Sequence, residues 1–204
     1  MKNTILLFSL VLSNLFVMGQ YDPKSVIAKL DTLFQDNQWY ILRMDSIERQ
    51  YGQESTEMRF LRKARRRSDS LNTIEVKNIL DSYGWLGPDV IGKRANETLF
   101  LVIQRSDLKT REMYLPLLRY AVVIGNASAD SYACLADRIA LDQGKKQIYG
   151  SQIGINEETG AYFILPLEDP ENVDKRRDQM ELAPLAEYVR KWHIRWGAGN
   201  ALPF

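Results

Sequence analysis

One cysteine and one histidine are all the thiol and imidazole chemistry that 204 residues provide. A single thiol, Cys134, excludes an internal disulfide. A single imidazole, His193, leaves no material for a histidine-rich metal site and sets a Ser-His-Asp triad aside. Phosphate-binding glycine loops, HExxH, a zinc-spaced cysteine pair and GxSxG are all missing. Charge of one sign is missing as well: 27 basic against 26 acidic residues give +1, so no global field draws the chain to nucleic acid or anionic lipid. Neither a metal nor a cofactor is expected, and nucleic acid is not an expected partner. An enzyme built from this material would have to use carboxylate, Tyr or Lys as its acid and base. Cys134 lies among Tyr132, Ala133, Leu135 and Ala136 and reads as a small hydrophobe on a buried helix face.

The one extended apolar run is N-terminal. Lys2 precedes Ile5 to Met18, in which Ser9, Ser13 and Asn14 are the only polar residues. Val17-Met18-Gly19 reads as a small-residue cleavage site that leaves Gln20 as the mature N-terminus. Residues 1–19 are therefore expected to be a signal peptide, too short to favour a spanning helix. The mature chain is expected in the periplasm or outside the cell, with no membrane span after cleavage. Residues 20–196 are expected to form one globular domain, and 197–204 a loose tail.

The rest patterns as helices. Asp22-Pro23 opens a helix to Tyr51, whose apolar stripe is interrupted at the polar patch Asp36-Asn37-Gln38, where a break is expected. A second helix is read over Thr56 to Leu71, and Asn72 with Glu75 reads as a capping box opening a third. Arg62 to Arg67 is a dense basic run, read as a solvated helix surface. Trp85 plugs a turn ending in Gly87-Pro88. Leu99 to Ile103 is apolar throughout and is assigned to helix on the spacing of Ala95, Leu99, Val102 and Ile103. Asp107 is placed to cap a helix from Leu108 to Ile124, whose Pro116 predicts a late start or a kink. Another helix carries Asp137-Arg138 and ends at Gly144. Gln147 to Ile155 and Ala161 to Leu165 read as the two arms of a β-hairpin. Short helices after Asp169-Pro170 and Pro184 follow. The fold class is thus mainly α (α+β), a multi-helix domain with one small hairpin near residues 147–165.

The stretch Gln147-Ile148-Tyr149-Gly150-Ser151-Gln152 stands out, because two amides, a phenol and a hydroxyl are costly to bury in a strand. Together with Gly84-Trp85, Gln104-Arg105-Ser106-Asp107, Asp137-Arg138 and Gly144, it resembles a domain-of-unknown-function family common in secreted proteins of Bacteroidota. That family's pattern has an early D-Q-x-x-R-like patch, a GW turn, Q-H-x-D, a D-R helix and G-x-x-Q-x-Y-G-T-Q. Gln38 and Arg43 resemble the early patch at wider spacing. Arg105 stands where the family has His and Ser151 where it has Thr; Arg cannot give up a proton near neutrality. The resemblance carries no activity.

Gln104, Arg105, Asp107, Arg138, Gln147, Tyr149 and Gln152 are the expected ligand-binding residues, with a small polar ligand or an envelope protein as partner. Asp107, Asp137 and Tyr149 are the candidates for acid–base chemistry in a carboxylate-dependent hydrolase. A purely structural or interaction domain, using the helical surface and the basic run Arg62 to Arg67, is the third alternative. The plain reading of Asp137, Gln147 and Gln152 is a buried polar network that fixes the fold without binding a ligand.

Overall fold

In the computed structural model, which describes residues 22–197, Asp22 accepts a hydrogen bond from the Lys24 N–H and Pro23 opens helix α1 (Pro23–Tyr51). The expectations for residues 1–19 and for the tail beyond Gly197 lie outside the described residues. Helix α1 is unbroken, so the break expected at Asp36-Asn37-Gln38 does not occur. Ser55 caps α2 (Thr56–Tyr83), which also runs through the expected boundary at Leu71-Asn72. Asn72 opens no new helix: its side chain donates to Asp36 Oδ2 of α1 at 3.0 Å. Short α3 (Pro88–Ile91) leads into α4 (Lys93–Arg105), which settles the apolar run Leu99–Ile103 as helix.

Asp107 caps α5 (Leu108–Val123), accepting from the Thr110 N–H at 2.9 Å and its hydroxyl at 3.1 Å. Pro116 lies inside α5 without delaying its start. The Thr110 N–H, above all, holds the Asp107 carboxyl below the usual carboxylate range. The cap is therefore in place above the unfolded carboxylate value near 3.8 and is lost as pH falls through the lower folded one. Asp107→Ala is expected to lower stability by about 1 kcal/mol in urea unfolding at neutral pH, with the difference vanishing at low pH. An undiminished difference in strong acid would contradict the assignment.

Helix α6 (Ala129–Asp142) starts at a Ser128 cap and ends at Gly144, whose φ is +72°. The Lys145 N–H reaches back to the Ala140 carbonyl, as a helix stop with a left-handed glycine requires. The β-structure is smaller than the sequence predicts. Strands β1 (Ile153–Ile155) and β2 (Tyr162–Ile164) pair antiparallel, with Ile153 opposite Ile164. Gln147–Gln152 is a loop, tied to the far side by a single parallel bridge from Gln147 to Leu167. The first arm of the expected hairpin is therefore strand only at Ile153–Ile155. Helices α7 (Val173–Asp178) and α8 (Leu185–Tyr188) follow, and a 3-10 turn over Val189–Trp192 comes after them. Among the described residues no helix is long and apolar enough to cross a membrane.

The main core joins the first half of α1 (Val26, Leu30, Leu33) to the last half of α2 (Val76, Ile79, Leu80) and to α4, α5 and α6. Trp85 is buried in it, as the turn predicts. A small second core joins Ile47 to Met58 and Leu61 at the other end of the α1–α2 pair. Between these two apolar blocks both helices turn polar. Asp36 accepts from Ser68 and Asn72 there, and Asn37 accepts from Arg105 of α4. The interruption in the α1 stripe thus faces an interruption in the α2 stripe, and neither breaks its helix.

Candidate functional site

The loop that carries the sequence motif is held from both sides of its backbone. Asp137, fully buried on α6, accepts the N–H groups of Ile148 (2.6 Å) and Tyr149 (2.8 Å) on one oxygen and that of Ser151 (2.8 Å) on the other. The carbonyls are taken by cations and a phenol. Arg176 Nε donates to Ile148 O at 2.9 Å, Arg177 Nη1 to Tyr149 O at 2.8 Å, and the Tyr188 hydroxyl to Ser151 O at 3.1 Å. A buried carboxylate and a buried guanidinium thus compensate one another across the Tyr149 peptide, which lowers the desolvation penalty of each.

Gln147 is also fully buried. Its amide donates to the carbonyls of Gln152 (3.0 Å) and Leu165 (2.8 Å) and accepts from the Gln152 N–H at 2.8 Å. Gln152 turns its own amide to the Cys134 carbonyl at 3.1 Å and to the Ser151 hydroxyl at 3.1 Å. Burial pushes the Tyr149 phenol up, with Tyr132 and Asp137 adding to the effect, so it is a poor base. Its ring packs edge-on against Tyr132. Cys134 is half-buried, and burial raises its thiol as well.

The other motif residues come together elsewhere, on an open polar cleft of about 590 Å³. Gln104 and Arg105 reach it from the end of α4, and Arg138 from α6. Four charged residues outside the expected ligand-binding set join them: Arg65 and Asp69 from α2 and the Arg111–Asp142 pair from α5 and α6. Asp69 is shared, lying 3.9 Å from Arg65 and 4.0 Å from Arg105. Arg138 donates to the Gln104 carbonyl at 3.1 Å and, among the described residues, has no carboxylate within ion-pair distance. Arg111 is nine-tenths buried, and its Nε has no partner. Four guanidiniums face two carboxylates, a formal excess of two positive charges. Burial lowers the proton affinity of Arg105, and the like charges of Arg65 and Arg138 lower it further while Asp69 opposes them. Burial raises the Asp69 carboxyl, against the opposing pull of Arg105 and Arg65.

One signal for Arg65 and Asp69 was present in the sequence. They stand four residues apart, on the face that Leu61 and Val76 show to be buried. The basic run Arg62 to Arg67 hides this, since Lys63, Arg66 and Arg67 are exposed while Arg65 turns inward.

The motif order runs along this same arrangement, from the Trp85 turn through the cleft to the clamped loop. The chain belongs to the DUF6624 family. Residues 41–198 match the model of this family of unknown function, which covers more than half of the chain. No curated protein and no solved structure matches it. For this DUF6624 chain the cleft and the clamped loop both lie within the matched residues, whereas Asp36 and Asn37 precede them. Asp107 and Asp137 line neither this cleft nor the smaller cavity described below. Among the described residues no group of three or more His, Cys, Asp or Glu side chains is placed to hold a metal ion.

Proposed function

We propose that this DUF6624 chain is an exported binding domain that takes a small polar ligand bearing an oxyanion in the arginine cleft. The carrying observation is the uncompensated charge: four arginines against two aspartates, with Arg138 unpaired and the Arg111 Nε without a partner. A planar guanidinium meets a carboxylate, sulfate or phosphate with two parallel hydrogen bonds, so an anion supplies the acceptors that the protein does not. Gln104 and Ser106 add neutral polar groups to the rim. Of the expected ligand-binding residues, Gln104, Arg105 and Arg138 carry this reading. Gln147, Gln152 and Asp137 act in it as the frame, and Asp107 as a helix cap. The hydrolase reading draws no support from Asp107 and Asp137, since each holds backbone N–H groups.

Calorimetric titration with sulfate, inorganic phosphate and citrate tests the proposal. At least one of the three binds the wild type, and Arg138→Ala weakens it about 10- to 100-fold, the worth of a charged hydrogen bond of about 1.5–3 kcal/mol. The melting temperature stays put, since Arg138 is half-exposed and bonds one carbonyl. No heat from any of the three anions, or equal affinity in wild type and variant, would remove the reading.

The pH dependence follows from Asp69. Its carboxyl is raised above 3.8, so protonation begins at a higher pH than for a free Asp and removes one of the two negative charges in the cleft. Sulfate keeps its charge through this range. Its affinity is expected to rise as pH falls toward the raised value, and Asp69→Asn is expected to bind tightly with no such dependence. A wild-type affinity that is flat with pH would contradict the placement of Asp69.

A further inference from the structure

A second cavity, of about 360 Å³, opens beside the start of α6 and is independent of the arginine cleft. Its notable wall is Arg177, which is 1% exposed. That guanidinium donates Nε to Ala183 O at 2.5 Å and Nη1 to Tyr149 O at 2.8 Å, and its face lies over the Tyr188 ring at 4.8 Å. An arginine carries five N–H groups. Only two of them find protein acceptors here, and among the described residues no carboxylate lies within 4 Å. Asp130, Asp174 and Asp137 act on it only from farther away. A buried cation with unused donors on a cavity wall is a site that an anion completes.

The rest of the wall sets the class of ligand. Lys191 adds a second cation, stacked over Tyr188 and Trp192 at 4.5 and 4.2 Å. The Ser151 hydroxyl from the clamped loop is also on the wall. Phe100, Ala133 and Leu182 supply apolar surface. Asp130, the one carboxylate on this wall, opposes a second negative charge on the ligand. The size and the mixture of apolar wall with a few converging polar groups match a small-molecule site rather than a protein-docking face.

We propose that this cavity binds a small monocarboxylate with an apolar body, the carboxylate on Arg177 and the body against Phe100 and Leu182. Cys134 lies on the same wall and is the only thiol of the chain, so it reports occupancy without a label being introduced. The probe is phenylacetate, with the neutral 2-phenylethanol as its shape control. At phenylacetate ten times above its dissociation constant, mass action leaves the cavity open about a tenth of the time, so alkylation of Cys134 by N-ethylmaleimide slows about ten-fold. The alcohol, lacking the charge, gives no comparable protection.

Arg177 also holds the loop, so its removal would confound binding with folding. Ser131→Phe avoids this. Ser131 is half-buried on the cavity wall, outside the clamp, and a phenyl ring there fills the space. The variant keeps the wild-type melting temperature and loses the calorimetric signal of phenylacetate. Unchanged alkylation in phenylacetate overturns the proposal. So does equal protection by the alcohol, or phenylacetate binding that survives Ser131→Phe.

Discussion

Asp137→Ala is expected to be the most damaging single substitution in the described chain, lowering stability by on the order of 3–5 kcal/mol. Three backbone N–H groups converge on that carboxylate, at 2.6, 2.8 and 2.8 Å, and it is fully buried. Alanine leaves all three donors without an acceptor, at about 1–3 kcal/mol for each that water does not reach. It also leaves Arg177 buried without its compensating charge across the Tyr149 peptide. Since a domain of this size has about 5–15 kcal/mol in total, the variant stands near the edge of folding. Asp137→Asn keeps one acceptor oxygen but sets an NH₂ against a donor, so it should lose somewhat less. Urea unfolding followed by circular dichroism reads both. A loss below about 1 kcal/mol for the alanine variant would mean that the clamp is not what holds the loop.

The second large effect is expected at Gly150. Its φ is +74°, a region that costs an L-residue with a side chain about 1–2 kcal/mol. A Cβ there would lie 2.8 Å from Leu185 Cδ1 and 3.1 Å from Cδ2. Leu185 is fully buried in the small core of Leu167, Val173 and Val189, so it has little room to turn away. Overpacking of that kind adds about 1–3 kcal/mol, and Gly150→Ala is expected to lose about 2–4 kcal/mol in all. Gly144→Ala is the control. Its φ is +72°, but a Cβ would meet nothing within 4 Å, so only the backbone penalty remains. Equal losses at the two positions would show that contact with Leu185 plays no part.

Much of the helical frame was legible because its signals are local. Asp22-Pro23 and Asp107 are caps whose partners lie two or three residues away, and both form as read. At the stop of α6 the Gly144 N–H bonds the Leu141 carbonyl and the Lys145 N–H the Ala140 carbonyl, both within five residues along the chain. The misreadings have a common physical origin in contacts distant along the chain. Asp36-Asn37 looked like a flaw in α1 because its partners, Ser68, Asn72 and Arg105, lie 32 to 68 residues away. Asn72 looked like a cap for the same reason. The stretch Gln147–Gln152 reads as a strand in the sequence and is a loop in the structure. What holds it is the carboxylate of Asp137, together with Arg176 and Arg177, 28 residues on from the carbonyls they bind. No periodicity encodes an interaction between a side chain on one element and the backbone of a distant loop.

This division also relocates the candidate site. The motif that looked most like chemistry gives its two amides and its hydroxyl to backbone groups of the frame, whereas Arg138, adjacent in sequence to the clamp's Asp137, faces the cleft. One helix turn of α6 thus carries both the anchor of the frame and a cation of the cleft.

The most direct measurement is an anomalous difference map from crystals of the described domain soaked in selenate, a heavy-atom form of the oxyanion that the cleft is argued to take. The predicted result is a peak within hydrogen-bond distance of the Arg138 and Arg105 guanidiniums, absent from crystals of Arg138→Ala. Peaks confined to the exposed Arg66 and Arg67 face of α2, or to the Gln147–Gln152 loop, would contradict it.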